Sequence, residues 1–454
     1  MRLTPRLRAA TLRGVSGRRR RIAGWGLALL ALANAIAVVG LWVASGGIAD
    51  IHDASSALTA AGRVSGLLGA YLVLVELLLL ARLPVLDRLV GFDRLTGWHR
   101  VNGRVAISLL VAHALLITAG YTLGDRISLW AELKRLVNGY PGVITAIAGL
   151  AILIAVVVTS TVYARRRLRY ETWYFVHLYA YLGIALAFSH QLATGTDFVA
   201  QPAARAYWYA LYLVTLGAVI VFRIGVPVTR SAWHRLRVER VVEEAPGVVS
   251  VEIGGRRLDR LKAQAGQFFL WRFLTRDRWW EAHPFSLSAA PDGRRLRITV
   301  KGLGDYTAAL RAIPPGTRVI AEGPFGTFTA AARRYPRVAL IAGGVGITPI
   351  RALLEEMPGG PRDITVVYRA LSPEDLILRD ELDELAGRRG VDVHYLVGGH
   401  DGEDLLSPEQ LTALMPDIAA RDVYVCGPPA MVDATRDSLG RSGVRHIVTE
   451  RFAY

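Results

Sequence analysis

The chain has 454 residues, enough for roughly three folded units at about 150 residues each. Hydrophobic residues make up 52% and charged ones 20%, with mean hydropathy +0.32, which excludes an ordinary soluble enzyme and puts part of the chain in lipid. A net charge of +16 raises nucleic acid as a partner, but the arginines gather at the ends of apolar runs, where a membrane explains them better; the single cysteine, Cys426, excludes an internal disulfide and Cys-based zinc or iron-sulfur sites.

The basic N-terminus, residues 1–21, leads into Ile22–Val43, 22 uncharged residues, longer than the core of a signal peptide and read as a first span. Further runs near 64–81, 105–123, 143–163, 172–193 and 206–222 predict a six-span helical bundle over 22–226. Arginines at 82, 88, 94 and 100, at 165, 166, 167 and 169, and at 223, 230, 235 and 237 alternate with arginine-poor loops, so the positive-inside rule puts both termini in the cytoplasm. Arg126, Lys134 and Arg135 interrupt that pattern within residues 127–137 or beside them, a stretch that reads as an interfacial amphipathic helix. On the first outer loop, Asp50, His52 and Asp53 offer hard ligands for a ferric complex, although a helix cap is the stronger reading.

Four of the ten histidines fall on two spans: His99 and His113 on the third, His177 and His190 on the fifth. Ionisable groups at such depth are uncommon without a function. The first pair is 14 residues apart, so its members differ by roughly 40° around a helix and roughly 21 Å along it. The second pair, 13 apart, differs by about 140° on an ideal helix and needs local distortion or different approach angles to match. The third and fifth spans run in the same direction, so His99 faces His177 and His113 faces His190. That arrangement predicts two bis-imidazole heme b sites, with Arg100 and Arg104 placed to pair with propionates of the inner one. An interhelical hydrogen bond is the commoner role for one membrane histidine, but four at matched depths favour heme. These spans resemble the ferric-reductase and NADPH-oxidase transmembrane domain, whose histidine pairs match in number, order and spacing.

After Pro227 the texture changes to short strands and polar helices. Residues 231–332 are strand-rich and predict a small antiparallel barrel; residues 335–454 alternate strand and helix, which predicts a parallel sheet. His283, Pro284, Phe285, Ser286 and Ser288 lie in HPFSLS, which resembles the FAD motif of the ferredoxin-reductase superfamily, with the histidine of its transmembrane branch. Lys301, Gly302, Gly304 and Thr307 lie in VKGLGDYT, where two glycines before a short helix offer open amide groups to a diphosphate. Taken alone, that segment is better explained as a plain glycine turn and helix cap. AGGVGITP supplies Gly343, Gly344, Gly346, Thr348 and Pro349, a glycine-rich loop after a strand that resembles the family's nicotinamide-nucleotide motif. Arg369, after the next strand, stands where a 2′-phosphate would favour NADPH over NADH.

The resemblance further implies that Cys426, Gly427 and Pro428 form the turn near hydride transfer. It implies too that Glu450 and Phe452, close to the C-terminus, share that site, Phe452 covering the flavin until nicotinamide displaces it. The family reading is then an NAD(P)H oxidase or ferric reductase type enzyme, with electrons passing from NAD(P)H through FAD and two b hemes to an outside acceptor. FAD is needed between them because nicotinamide gives two electrons as hydride and heme iron takes one. The acceptor is oxygen or a ferric chelate; the expected partners are the nucleotide, that acceptor and the bilayer, with no accessory subunit evident. A rival keeps the helices as an anchor, with the flavin passing electrons to a cytoplasmic protein.

Overall fold

A computed structural model of the chain describes residues 17–161, 170–195, 201–398 and 405–452. It forms two compact units, one over Arg18–Arg223 and the other from Ile224 onward.

The first unit is helical: α1 (Gly17–Ala44), α2 (Ala54–Leu79), α3 (Pro84–Val90), α4 (Phe92–Asp125), α5 (Leu129–Gly139), α6 (Val143–Thr159), α7 (Tyr170–Thr194) and α8 (Pro202–Ile220). Apolar side chains point outward, among them Trp25 at 71% exposure and Leu213 at 70%, as expected of helices whose solvent is hydrocarbon. Among the described residues the six expected spans become four helices of sufficient length and hydropathy: Ile22–Ala44, Ala54–Leu79, Arg94–Asp125 and Pro202–His234. A fifth exists if α5 and α6, which meet at 109°, count as one broken crossing. Helix α7 has 25 residues, yet His177, His190, Gln191 and its tyrosines dilute its hydropathy. The arginines at 165–169 and most of the basic N-terminus lie outside the described residues.

Helices α2 and α4 pack closely and antiparallel. A methyl group added at Gly66 would lie 2.5 Å from His113 Nδ1, so the absence of a side chain there makes room for the imidazole. Ser55 Oγ donates to the Gly120 carbonyl at 2.8 Å near the other end of the same seam. Helix α2 begins at Asp53, whose side chain accepts from Ser56 N at 2.8 Å in a capping box. The outer-loop carboxylate is thus committed to a cap. Helix α5 is amphipathic as expected, with Trp130 67% exposed and Leu136 buried.

The second unit opens with α9 (Val226–His234) and six antiparallel strands: β1 (Arg237–Ala245), β2 (Val248–Gly254), β3 (Phe268–Phe273), β4 (His283–Ser286), β5 (Arg295–Lys301) and β6 (Val319–Phe325), with α10 (Asp305–Ala309) between the last two. Among the described residues the strands of the expected barrel form two three-stranded sheets, β1-β2-β5 and β4-β3-β6, which meet at the isolated bridges Arg237↔Arg318 and Leu287↔Ile298. Ladder pairing lapses where β4 is only four residues long and carries Pro284, which has no N–H to donate. Phe269, Trp271, Ile253 and Ile298, all fully buried, fill the space between the sheets.

The rest is a five-stranded parallel sheet of β7 (Val338–Gly343), β8 (Ile364–Ala370), β9 (Asp392–Val397), β10 (Asp422–Gly427) and β11 (His446–Arg451), in the order β11-β10-β7-β8-β9. Helices α11 (Ile347–Glu356), α12 (Arg379–Arg389), α13 (Pro408–Leu414) and α14 (Pro429–Arg441) accompany it. Leu340, Val366 and Tyr424 belong to one buried cluster and Ile341, Val367 and Val425 to another, so both faces are covered and the strands read as unbroken apolar runs.

Candidate functional site

The chain leaves β7 in one direction toward β8 and later returns to add β10 on the other side. Such a reversal opens a crevice at the carboxyl ends of the two central strands. The loop 343–346 and the turn 426–428 meet there. A methyl group at Gly346 would lie 2.2 Å from the Cys426 carbonyl oxygen, so only glycine lets these backbones touch. Gly344, at φ +53°, faces open space. Gly343 and Gly427 both lie against Met431, and Pro428 precedes α14. Thr348 and Pro349 are buried at the start of α11, with the Thr348 hydroxyl donating to the Val345 carbonyl at 3.0 Å. Arg369 pairs in register with Gly343, and among the described residues its guanidinium makes no hydrogen bond or ion pair.

Strand β11 links this crevice to the HPFS strand β4. Cys426 pairs with Glu450 and Gly427 with Arg451, while Phe452 N donates to the Gly427 carbonyl at 3.2 Å. Ser286 Oγ donates to Glu450 Oε1 at 2.8 Å. His283 stacks on Tyr306 with ring centroids 3.8 Å apart and on Phe285 at 6.3 Å. Pro284 is exposed on the same strand.

In the helical unit, the His99 and His177 rings stand edge to face with centroids 5.9 Å apart. His190 lies near enough to His113 for the two imidazoles to interact electrostatically. Each Nδ1 has a polar neighbour: Glu76 Oε1 at 2.5 Å from His99, the Gly62 carbonyl at 2.8 Å from His113, Ser160 Oγ at 3.2 Å from His177 and Thr194 Oγ1 at 3.0 Å from His190. A carbonyl can only accept, so His113 carries its proton on Nδ1. Thr194 Oγ1 lies 3.0 Å from both the His190 ring Nδ1 and the His190 carbonyl. Glu76 Oε1 lies close to His99 Nδ1 without a hydrogen bond. The His113 tautomer leaves its Nε2 with the lone pair, the state a neutral metal ligand would need. Among the described residues no cluster of three or more His, Cys, Asp or Glu forms a metal site, so the donor set is imidazole in pairs. That set suits heme iron, and the 5.9 Å separation fits two rings sharing one metal through bonds of about 2 Å.

Three family models match in chain order: a ferric reductase like transmembrane component at residues 65–188, an FAD-binding domain at 246–329 and an oxidoreductase NAD-binding domain at 340–437. This is the ferric reductase and NADPH oxidase architecture. The chain is accordingly a membrane-embedded oxidoreductase with FAD-binding and NAD-binding domains. Its reductase part is similar to NADH-cytochrome b5 reductase 2 of Mycosarcoma maydis, 29% identical over 31% of this chain and 43% of that protein. It is 33% identical to NADH-cytochrome b5 reductase 1 of Ajellomyces capsulatus over 30% of this chain and 50% of that one. The reductase component of propane 2-monooxygenase from Rhodococcus jostii is 33% identical over 29% and 39%. The chain thus spans half or less of the length of these relatives. Among solved structures it resembles the FAD/NAD-binding domain of a Vibrio cholerae nitric oxide dioxygenase, with TM-score 0.39, 24% identity, and 48% of this chain and 98% of that one covered.

Several residues expected to touch cofactors in this ferric reductase architecture are otherwise engaged. Ser288 is fully buried and accepts from Thr299 Oγ1 at 2.8 Å and Arg297 Nε at 3.2 Å, because its strand position faces the core. Lys301 Nζ donates to Asp375 Oδ1 at 2.7 Å, and that lysine holds the Asp375 carboxyl below its usual range. The amides expected to be open to a diphosphate are taken: Gly302 N donates to the Gly247 carbonyl, and Leu303 N and Gly304 N donate to Thr307 Oγ1. Thr307 closes the turn itself, which is the plain-cap reading of VKGLGDYT. Cys426 is fully buried, and burial pushes its thiol well above the usual range, so it acts through backbone and packing rather than as an exposed thiol. Arg104 Nε donates to the Arg100 carbonyl at 3.2 Å, and both arginines are exposed on α4.

Sequence reading missed Glu76. It is the single charged residue of the run 64–81, and its depth alone marks it as a candidate for function. Asn102 Nδ2 donates to Glu76 Oε2 at 2.7 Å while the other oxygen meets His99.

Proposed function

We propose that the chain carries electrons from cytoplasmic NAD(P)H, through FAD, to two b hemes and on to an acceptor across the membrane, either oxygen or a ferric chelate. The observation that carries this reading is the set of two imidazole pairs, His99 with His177 and His113 with His190, the Gly62 carbonyl holding the His113 proton on Nδ1 and leaving its Nε2 to ligate. The matching of the ferric reductase model over a stretch holding three of these histidines supports it.

In this reading residues 22–226 form the heme domain, 231–332 the flavin domain and 335–454 the nucleotide domain. The crevice at 343–346 and 426–428 binds the nucleotide diphosphate through backbone, and free Arg369 favours NADPH by pairing with a 2′-phosphate. His283, Pro284, Phe285 and Ser286 border the flavin. Glu450, hydrogen-bonded to Ser286, ties the flavin strand to the strand that ends at Phe452, so hydride donor and acceptor rings are brought together where the two domains meet. FAD supplies the exchange between two-electron and one-electron transfer. The histidines hold the iron, and the apolar helices exclude water around it.

An anaerobic absorption spectrum of the purified protein tests this directly. Heme bands that reduce on adding NADPH and reoxidise with air or ferric citrate are the expected result; flavin reduction with no heme spectrum would instead favour a membrane-anchored flavin reductase serving a cytoplasmic partner.

A further inference from the structure

Helix α2 supplies the Nδ1 partner of both histidines on α4. Gly62 and Glu76 are 14 residues apart, as are His99 and His113, and the antiparallel seam brings Gly62 to His113 and Glu76 to His99. The two contacts differ in kind. His113 meets a neutral carbonyl at 2.8 Å, whereas His99 meets a carboxyl oxygen at 2.5 Å. The histidines of α7 face hydroxyls, of Ser160 and Thr194. Of the four imidazoles, only His99 therefore has an acidic side chain as its described Nδ1 neighbour.

The Glu76 carboxylate makes no hydrogen bond to Nδ1, but its negative charge set against the His99 ring stabilises ferric over ferrous iron. Arg100 and Arg104 would oppose this, but neither makes a described contact with His99, as Glu76 does. The Asn102 amide, donating to the other Glu76 oxygen, moderates the effect by drawing charge away from His99.

Resting on the two-heme reading above, we propose that Glu76 is a positioning residue that lowers the reduction potential of the heme held by His99 and His177 relative to the heme held by His113 and His190. The transfer it biases is of one electron: ferrous iron at the first site becomes ferric as ferric iron at the second becomes ferrous, with NAD(P)H as the source of electrons. The bias directs electrons from the His99 heme to the His113 heme and discourages their return.

Potentiometric titration of the full-length protein, followed by heme absorbance and low-temperature electron paramagnetic resonance, reads the two hemes separately. The His113→Leu variant, which lacks one axial ligand, assigns them. Glu76→Gln keeps the shape and an acceptor but removes the charge; it should raise the potential of the His99 heme by about 59 mV or more, tenfold in the equilibrium between the hemes, and leave the other unmoved. Asn102→Leu, which removes the moderating donor, should move the same heme in the opposite direction, and it gives an independent reading should Glu76→Gln fold poorly. Loosened packing would shift both variants the same way. Shifts of the same sign, a shift confined to the His113 heme, or no shift in either variant would overturn the proposal. A wild-type protein that takes up no heme overturns the two-heme reading itself, and the proposal with it.

Discussion

The two units place their candidate redox groups by different means. In the reductase unit, backbone does the placing: Gly346 lets one loop lie against the Cys426 carbonyl, and parallel pairing sets Arg369 beside Gly343 and Glu450 beside Cys426. In the membrane unit, side chains do it, each imidazole being oriented by a carboxyl, carbonyl or hydroxyl on a helix. A backbone-built site tolerates no added atoms. A side-chain-built site tolerates changes of shape but not of donor and acceptor character.

The largest effect should come from removing a ligand. His113→Leu keeps apolar bulk but cannot bind iron, so half of the heme should be lost while the flavin remains fully loaded, measured as heme-to-flavin ratio; an unchanged ratio breaks the membrane side of the comparison. Next, Gly346→Ala puts a carbon 2.2 Å from a backbone oxygen. Strain of about 1–3 kcal/mol should displace the loop, so that flavin reduction by NADPH slows while chemical reduction by dithionite is unaffected. Equal rates for variant and wild type would show that the loop does not hold the nucleotide.

How far the sequence disclosed these sites follows the same division. Backbone-built motifs are contiguous, so the glycine loop and the Cys426 turn were legible as strings, as was the parallel sheet from its apolar runs. Asn102 was not, since it matters only through a partner on another helix, whereas Glu76 carried a signal in being the single charge of its apolar run. VKGLGDYT misled because its two glycines look like an open anion site, while Thr307 satisfies the same amides internally. The six-span count is met only in part, by four or five candidate helices among the described residues, because His177 and His190 lower the hydropathy of α7.

A smaller effect tests the joint between the flavin and nucleotide domains. Arg297 donates to both oxygens of Glu381, at 2.7 and 2.8 Å, and Arg351 Nε lies 3.0 Å from the second. The Arg297 guanidinium holds the Glu381 carboxyl below its ordinary value of 4.5. A lowered carboxyl stabilises the fold above that ordinary value, and the contribution is lost as pH falls through the depressed one. Glu381→Gln should therefore cost about 1–3 kcal/mol at pH 7. The gap from wild type, followed by thermal melting, should narrow only as the pH falls below 4.5 and through the depressed value. A gap that persists unchanged at lower pH would remove the charge from the explanation.

The smallest effect concerns nucleotide choice. Arg369→Ala should reduce the kcat/KM preference for NADPH over NADH by about tenfold, since a surface-accessible phosphate pair contributes about 1–2 kcal/mol. Unchanged preference would assign the 2′-phosphate to other residues.

The central claim is that electrons cross the membrane through two histidine-held hemes in series. Oriented vesicles test it most directly, with NADPH supplied on the reductase side and an impermeant acceptor on the other. The account predicts reduction of the trapped acceptor by wild type and its loss in His190→Leu, which should keep NADPH-dependent reduction of the flavin and of the His99 heme. Reduction of the acceptor at the wild-type rate by a correctly folded, flavin-loaded His190→Leu protein would contradict it.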